Sequence, residues 1–244
     1  MNWYLASLLI NVEKTGNPAT IYQVRRCHCL ISAATHDDAY QRALKLGKAL
    51  AESYVSPGGL RGWAFRGIRD LVMVYEPPED AAELAWSQVE LTADELRNTV
   101  RRKEDMRAFR TVQESKRSGW YVAAIVMQEV HDEGSHGERS LVWINWYLLS
   151  AETSDTAYAK ALRIGKEQED QPGSHTCDGE RAHWEFKGIE DIVPTHDVPG
   201  DCALLWCDEF EATGTELDLM APNKLTLTVF KWEAGRRQQN PHAR

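Results

Sequence analysis

Residues 2–13 read NWYLASLLINVE, and residues 119–130 read GWYVAAIVMQEV. Both segments place a Trp-Tyr pair before a run of β-branched and aliphatic residues, which is typical of a β-strand. The second segment begins near the midpoint of a 244-residue chain. Because domains commonly contain about 100 to 150 residues, this recurrence predicts an internal duplication with two modules.

The residues that follow each copy repeat the same order of elements. A turn-forming stretch, EKTGNPAT or HDEGSHGE, precedes a second apolar run, IYQVRRCHCLIS or LVWINWYLLS, so each half predicts a hairpin. Thr35 and Thr153 then stand at the N-cap position of a segment with helical apolar spacing. Two further strand-like segments follow, WAFRGIRDLVMVYE and ELAWSQVEL in one half and WEFKGIEDIVPTH and ALLWCDEFE in the other. Each half therefore predicts a ββαββ unit.

The predicted fold is α+β, with two pseudosymmetric ββαββ repeats. We place the first repeat at residues 1–92, a basic helical connector at 93–118 and the second repeat at 119–217. Residues 218–244 are predicted to hold an extra C-terminal strand, LTLTVFKWE, and a disordered basic tail. Both faces of the first strand are apolar, so we expect the repeats to pack sheet toward sheet with the helices outside. A sandwich, a closed barrel and a continuous sheet all fit this pattern.

This organisation resembles the bacterial family catalogued as domain of unknown function 4288, a short module that opens with a Trp-Tyr strand. The resemblance covers roughly residues 2–92 and 119–212. It is carried by the Trp-Tyr pairs, the Ala-Tyr-x-x-Ala-Leu helices, the Phe-x-Gly-Ile-x-Asp stretches and the closing Trp86 and Trp206. It implies two copies of one module, and it brings no activity, so no catalytic residue is transferred.

Composition narrows the classes of partner. The formal charge of −9 would repel phosphate backbones, so nucleic acid is disfavoured as a partner, whereas a basic protein partner is compatible with this charge.

The five cysteines have no matching positions in the two halves, so they do not indicate a disulfide framework. The apolar start lacks a basic segment before it and recurs in mid-chain, which argues against a signal peptide. We therefore expect a cytoplasmic protein that does not enter a membrane.

Most of the tryptophans recur at matching places in the two halves, which helps to separate core residues from candidate binding residues. Such recurrence indicates a role in the core, which we predict for Trp3, Trp63, Trp86, Trp120, Trp184 and Trp206. Trp143 and Trp146 have no aromatic counterpart in the first half. These two are candidate ligand-binding residues of the second half.

Charged residues near the Phe-x-Gly-Ile-x-Asp stretches are the second set of candidates. Asp70 and Asp191 follow matching Gly-Ile-x units, and a dyad between the repeats would bring two carboxylates together for acid or base work. The alternative is that each aspartate accepts backbone amides where its strand bends. Arg66 and Lys187 keep a positive charge in both halves and could bind an anion jointly, or they could simply be solvated.

Metal and cofactor motifs are weak. Cys27 and Cys29 would point to one side of a strand and His28 to the other, so this trio does not share one ion, and buried thiols are expected instead. The Gly-Lys pairs lie late in helices, where a phosphate loop is not found. We predict no catalytic residue, no metal and no cofactor.

These observations favour a noncatalytic intracellular protein-recognition module, such as an inhibitor, immunity or adaptor protein, acting as a monomer or a homodimer. The competing hypothesis is a small-molecule sensor or enzyme whose pocket lies at the pseudo-dyad between the repeats. A pure scaffold, in which the tandem form replaces a homodimer, needs no site at all.

Overall fold

The computed structural model describes residues 1–12, 21–53, 63–110, 118–132, 138–177 and 179–231. The first predicted turn, most of the second and the basic tail lie outside the described residues. The strands are β1 (Asn2–Val12), β2 (Tyr22–Ala33), β3 (Trp63–Val74), β4 (Glu83–Thr92), β5 (Trp120–His131), β6 (Arg139–Ser150), β7 (His175–Cys177), β8 (Glu180–Pro194) and β9 (Leu204–Ala212). The α-helices are α1 (His36–Ser53), α2 (Ala93–Thr99), α3 (Arg107–Arg110), α4 (Ser154–Glu167) and α5 (Gly214–Met220).

The two predicted long helices, α1 and α4, start at the predicted caps. Thr35 Oγ1 accepts the backbone N–H of Asp38 at 3.1 Å, and Thr153 Oγ1 accepts that of Thr156 at 3.1 Å. Each threonine thus satisfies one of the amides that a helix start leaves without a partner. No helix in the described ranges is both long enough and apolar enough to cross a membrane.

The last strand of each repeat pairs with the other repeat. One sheet has the order β3-β1-β2-β9, and the other has the order β4-β6-β5-β8-β7. Strand β9 of the second repeat lies beside β2 of the first, while β4 of the first repeat lies beside β6 of the second. The fold is therefore α+β with two ββαββ-like repeats, as predicted, and these repeats exchange their last strands.

Strand exchange divides the chain differently from the repeat boundaries. Unit 1 comprises residues 1–75 and 199–244, and unit 2 comprises residues 76–198. Each unit contains the first two strands, the long helix and the next long strand of one repeat, together with the last strand of the other repeat. The sequence pattern alone placed that last strand with its own repeat.

In unit 1, helix α1 covers one face of the sheet. Ala39 and Ala43 pack with a set of alternating sheet residues that includes Tyr4, Ala6, Leu8 and Ile10. The opposite face of β1 is buried too, since Leu5 and Leu9 are almost completely inaccessible and Leu9 packs against α5. This double burial agrees with the prediction from the apolar pattern on both faces of β1.

In unit 2, helix α4 covers the equivalent face. Its Ala157, Ala161 and Ile164 pack with alternating residues of β5, namely Tyr121, Ala123, Ile125 and Met127. On the other face of β5, Val126 packs with Leu96 of α2. The described part of the connector, residues 93–110, therefore contains short helices, in agreement with the predicted helical character, and it contributes to the core of unit 2.

The C-terminal strand prediction is wrong. Residues 224–226 form a 3₁₀ turn and residues 228–231 are helical. The same order, a capped helix, a 3₁₀ turn and a short helix, follows β4 in the connector. Met106 and Leu227 are buried at matching places. Of the apolar residues in LTLTVF, Leu227, Val229 and Phe230 pack into the core of unit 1, whereas Leu225 is 75% exposed.

The position of Trp86 also differs from the prediction. The sequence predicts that Trp86 lies in the core and is equivalent to Trp206, but Trp86 is 52% exposed and Trp206 is 4% exposed. Their strand partners explain the difference. Trp86 pairs with Asn145, which matches Cys27, whereas Trp206 pairs with His28. The two tryptophans are therefore one residue out of register, and a shift of one residue reverses the face of a strand.

Candidate functional site

Asp70 and Asp191 each connect a strand bulge to a short helix of their own unit. Asp70 Oδ1 accepts the N–H of Leu71 at 2.8 Å and the N–H of Thr228 at 3.0 Å. Asp191 Oδ1 accepts the N–H of Ile192 at 2.9 Å and the N–H of Arg107 at 2.8 Å. Both carboxylates thus accept the first amide of a short helix, which agrees with the predicted amide-binding alternative.

The second oxygen differs between the two aspartates. Asp70 Oδ2 accepts the hydroxyl of Thr228 at 2.8 Å. Asp191 Oδ2 accepts Arg107 Nε at 2.6 Å and Arg101 Nη1 at 3.1 Å. These bonds give each aspartate a structural role in its unit. The paired-carboxylate hypothesis stays a prediction.

Arg66 and Lys187 also have partners in their own units. Arg66 Nε donates to Asn11 Oδ1 at 2.9 Å, and its guanidinium lies 5.7 Å from the ring centroid of Tyr22. Lys187 Nζ donates to Glu185 Oε2 at 2.6 Å. Joint anion binding by Arg66 and Lys187 stays a prediction.

The candidates Trp143 and Trp146 lie on opposite faces of β6. Trp146 packs with Val142 and Ile144 on the face that α2 covers. Trp143 packs against the core cluster on the α4 face, and its ring stacks with that of Trp184. The two indoles therefore belong to different environments, as their odd sequence separation requires in a strand.

Trp143 belongs to a set of four neighbouring rings that we call the aromatic row: Trp86, Trp143, Trp184 and His175. The ring centroids of Trp86 and Trp143 are 5.6 Å apart, those of Trp143 and Trp184 are 4.2 Å apart, and those of Trp184 and His175 are 6.0 Å apart. These separations fall in the range of favourable aromatic contacts. The Nε1 of Trp143 is buried without a hydrogen-bond partner in the described residues.

One end of the aromatic row is open to solvent. Strand β4 is at the edge of its sheet, and Trp86, Gln88 and Glu90 all point to the exposed side with a period of two. In unit 1 the position that matches Trp143 holds Arg25, whose guanidinium lies 4.7 Å from the ring centroid of Trp63. The exposed aromatic end is therefore particular to unit 2.

Unit 1 contains a serine–histidine–aspartate contact that sequence spacing did not reveal. Ser7 Oγ lies 3.0 Å from His28 Nδ1, and His28 Nε2 lies 3.2 Å from Asp208 Oδ2. The ring of Trp206 stacks on His28 at 4.0 Å. Strand exchange creates this group, because Asp208 comes from the second repeat.

The electrostatics of Asp208 favour an ordinary ion pair. Burial alone would raise the pKa of this carboxyl, but the hydrogen bond and charge of His28, together with Arg26, hold it well below its usual range. Arg26 Nη2 donates to the carboxylate at 2.9 Å. Ser7 lies in β1, which is paired with β2 and β3 on its two sides. The pairing with β3 shifts its register between Ser7 and Leu8, so Ser7 lies beside an irregularity of the sheet.

Unit 2 also holds a group with metal-ligating atoms. Glu129 and His131 lie on β5 and Cys177 lies on β7, and their donor atoms are all within 4.8 Å of one another. By contrast, Cys27 and Cys29 face α1 while His28 faces the other side, as their alternation predicted. The pattern Glu-x-His on one strand and His-x-Cys on another could have indicated this group, because residues two apart share a face.

Two ββαββ repeats with exchanged last strands define a tandemly duplicated α+β protein. A family model described as Domain of unknown function (DUF4288) matches residues 3–86 and 120–206, and the chain belongs to that family. The resemblance inferred from the Trp-Tyr, helix and Gly-Ile motifs is therefore confirmed. Comparison with curated proteins gives no match, and comparison with solved structures gives none either.

Proposed function

We propose that the protein is a noncatalytic recognition protein of the bacterial cytoplasm that binds another protein through the open end of the aromatic row. The observation that carries this proposal is the exposure of Trp86, which is 52% exposed while its ring contacts Trp143. Large aromatic side chains such as tryptophan often contribute most of the binding energy of a protein interface. The neighbouring ring of Trp143 holds Trp86 in place.

The expected contribution of Trp86 is substantial. An aromatic side chain presents about 150 to 250 Å², so covering its exposed half would remove about 100 Å² from water and stabilise a complex by about 2 to 3 kcal/mol. The neighbouring ring of Trp143 limits the conformations of Trp86 before binding. This reduces the entropy that a partner must overcome.

Charge indicates the chemistry of the partner. Glu90 follows Trp86 and Gln88 on the exposed side of β4, and the whole chain has a formal charge of −9. A partner surface with an apolar pocket and basic residues around it would complement this edge. Charges at the rim of an interface mainly raise the association rate and make it sensitive to salt.

Three features support a noncatalytic role. Asp208 forms an ion pair with Arg26 in addition to its contact with His28, and Asp70 and Asp191 are used as helix caps. Tyr147 has a pKa raised above its usual value by burial and by its hydrogen bond to Glu83, so its hydroxyl stays protonated. These groups hold the fold together and leave the open aromatic end as the best candidate for function.

The test compares three forms of the protein as baits in a bacterial lysate at low and high salt: wild type, Trp86→Ala and Tyr75→Ala. Tyr75 is 71% exposed and lies outside the aromatic row, so Tyr75→Ala is the matched control. We expect a stoichiometric protein that wild type and Tyr75→Ala retain at low salt. Its affinity for Trp86→Ala should fall by about 30- to 150-fold, which corresponds to about 2 to 3 kcal/mol. The absence of a stoichiometric protein, or equal binding by Trp86→Ala, would contradict the proposal.

A further inference from the structure

We infer that Glu129, His131 and Cys177 bind a zinc ion in unit 2. The inference does not depend on the proposed recognition function. It rests on three adjacent strands, β5, β8 and β7, whose side chains form a polar group on one face of the sheet.

The strand register brings the three donors together. Ala182 of β8 pairs with His131 on one side and with His175 on the other. Two residues from Ala182 along β8 in one direction, Trp184 pairs with Glu129. Two residues away in the other direction, Glu180 pairs with Cys177. Side chains directly opposite each other share a face. The methyl group of Ala182 is therefore surrounded by longer side chains with carboxylate, imidazole and thiol groups.

The distances suit a single ion after small side-chain adjustments. His131 Nε2 lies 4.0 Å from Glu129 Oε2, and all three donor atoms lie within 4.8 Å of one another. Ligand atoms around tetrahedral zinc are about 3.3 to 3.7 Å apart, given metal–ligand bonds of about 2.0 to 2.3 Å. Closing the group by about 1 Å would therefore complete three-ligand coordination.

A carboxylate lies behind His131 and an imidazole lies behind Glu129, which are the kinds of group that metal sites place behind their ligands. His131 Nδ1 lies 3.3 Å from Glu180 Oε2, at ion-pair distance although not aligned as a hydrogen bond. Glu129 Oε1 lies 2.9 Å from His175 Nε2, which leaves Oε2 toward His131. Zinc ligands are commonly oriented in this way, with a carboxylate behind the histidine and a hydrogen bond behind the ligating carboxylate.

The donor set selects the class of ion. Thiolate, imidazole and carboxylate together favour zinc over calcium or magnesium, which prefer oxygen ligands. A thiolate at Cys177 and a carboxylate at Glu129 would also balance the two charges of the ion. The side chain of Glu129 is only 7% exposed, and a buried carboxylate is stable only when it is paired.

The first repeat provides an internal comparison. Glu129 pairs with Trp184 in unit 2, and Val12 pairs with Trp63 in unit 1. The two tryptophans match, so Val12 occupies the place of Glu129. The duplicated strand thus folds with an apolar residue at this position, and the buried glutamate of unit 2 is not required by the strand itself.

Metal titration of the full-length protein tests the site. The chelator-treated protein is titrated with zinc chloride by calorimetry and with cobalt(II) chloride by absorption, since cobalt bound to a thiolate gives a charge-transfer band. We expect one ion per chain, a thiolate band, and loss of that band in Cys177→Ser. Glu180→Gln should keep the band and bind zinc about 10- to 100-fold more weakly, because it removes the carboxylate behind His131.

Two controls make the result decisive. His183 contacts Asp132 at 3.1 Å from the neighbouring position on β8, so His183→Gln removes a histidine outside the group and should bind zinc as wild type does. Cys202→Ser removes an exposed thiol and should keep the thiolate band even if Cys177→Ser does not fold. The inference is overturned by the absence of binding, by a cobalt complex without a thiolate band in the wild type, by loss of the band in Cys202→Ser, or by equal binding in folded Cys177→Ser.

Discussion

Replacing Asp191 by Asn should cost more stability than replacing Asp70 by Asn. The two aspartates occupy matching places, and each accepts the first amide of a short helix. Asp191 is also held by two arginines, Arg107 at 2.6 Å and Arg101 at 3.1 Å, whereas the second oxygen of Asp70 meets the hydroxyl of Thr228. The two aspartates are therefore equivalent helix caps, of which only Asp191 has arginine partners.

The magnitude follows from the partners of each second oxygen. In Asp191→Asn an amide N–H group would face two guanidinium groups, which are also donors, so both charge-assisted hydrogen bonds are lost. Such bonds contribute about 1.5 to 3 kcal/mol each. The arginine side chains are 40% and 35% exposed, so solvent screens these interactions. We expect a total loss of about 2 to 3 kcal/mol for Asp191→Asn after this discount.

Asp70→Asn should lose much less. Its amide N–H group can donate to the threonine oxygen, and its remaining oxygen still accepts the Thr228 amide, so we expect a loss of about 1 kcal/mol. Urea unfolding at pH 7, followed by circular dichroism and tryptophan fluorescence, measures the free energy of unfolding of both variants. An equal loss in both variants, or a larger loss for Asp70→Asn, would refute the reasoning.

Two further changes test the packing and the electrostatics. A Cβ on Gly165 of α4 would lie 2.4 Å from ring atoms of Phe186, so Gly165→Ala should lower the free energy of unfolding by about 1 to 3 kcal/mol, and adding Phe186→Leu should restore part of it in urea titrations. Equal stability of Gly165→Ala and wild type would contradict the contact. The pKa of Asp208 is held below its usual range by His28 and Arg26, so its stabilisation is present at neutral pH and is lost as the pH falls below about 4. Asp208→Asn should therefore be less stable at pH 7 and lose less stability between pH 5 and pH 3, and an unchanged acid dependence would count against the ion pair.

Local features of the fold could be predicted because they depend on neighbouring residues. The hairpins follow from apolar runs and turn residues, and the helix starts follow from Thr35 and Thr153, whose caps the structure confirms. The amide-binding role of Asp70 and Asp191 follows from their place after a bend in the strand.

The strand exchange could not be predicted from the same patterns. Strands β4 and β9 have similar apolar residues, so either could pair with β2 or with β6, and only the complete chain selects the arrangement. The recurrence of Trp86 and Trp206 in the sequence does not reveal that their strands pair with a difference of one residue in register. The C-terminal strand was predicted from alternation in residues 225–230, whereas tertiary packing of Leu227 and Phe230 wins over that local pattern.

The sequence predicts a candidate site residue only where the signal lies within a single strand. The sequence singles out Trp143 because the first half has no aromatic residue at the matching position, and the structure places Trp143 in the aromatic row. The zinc ligands come from strands that are distant in sequence, and Asp208 reaches His28 only through strand exchange. Contacts of this kind depend on topology, which local periodicity does not determine.

Cross-linking across β2 tests the strand exchange most directly. Arg25 pairs with Glu209 of the second repeat, and Gln88 is the residue of the first repeat that matches Glu209. Both double variants are made in a protein that carries Cys27→Ser, and disulfides are mapped by peptide mass spectrometry after mild oxidation. We expect a disulfide in the variant with Arg25→Cys and Glu209→Cys. We expect none in the variant with Arg25→Cys and Gln88→Cys. A bridge in the second pair without one in the first would show that each repeat keeps its own last strand and would contradict the exchange.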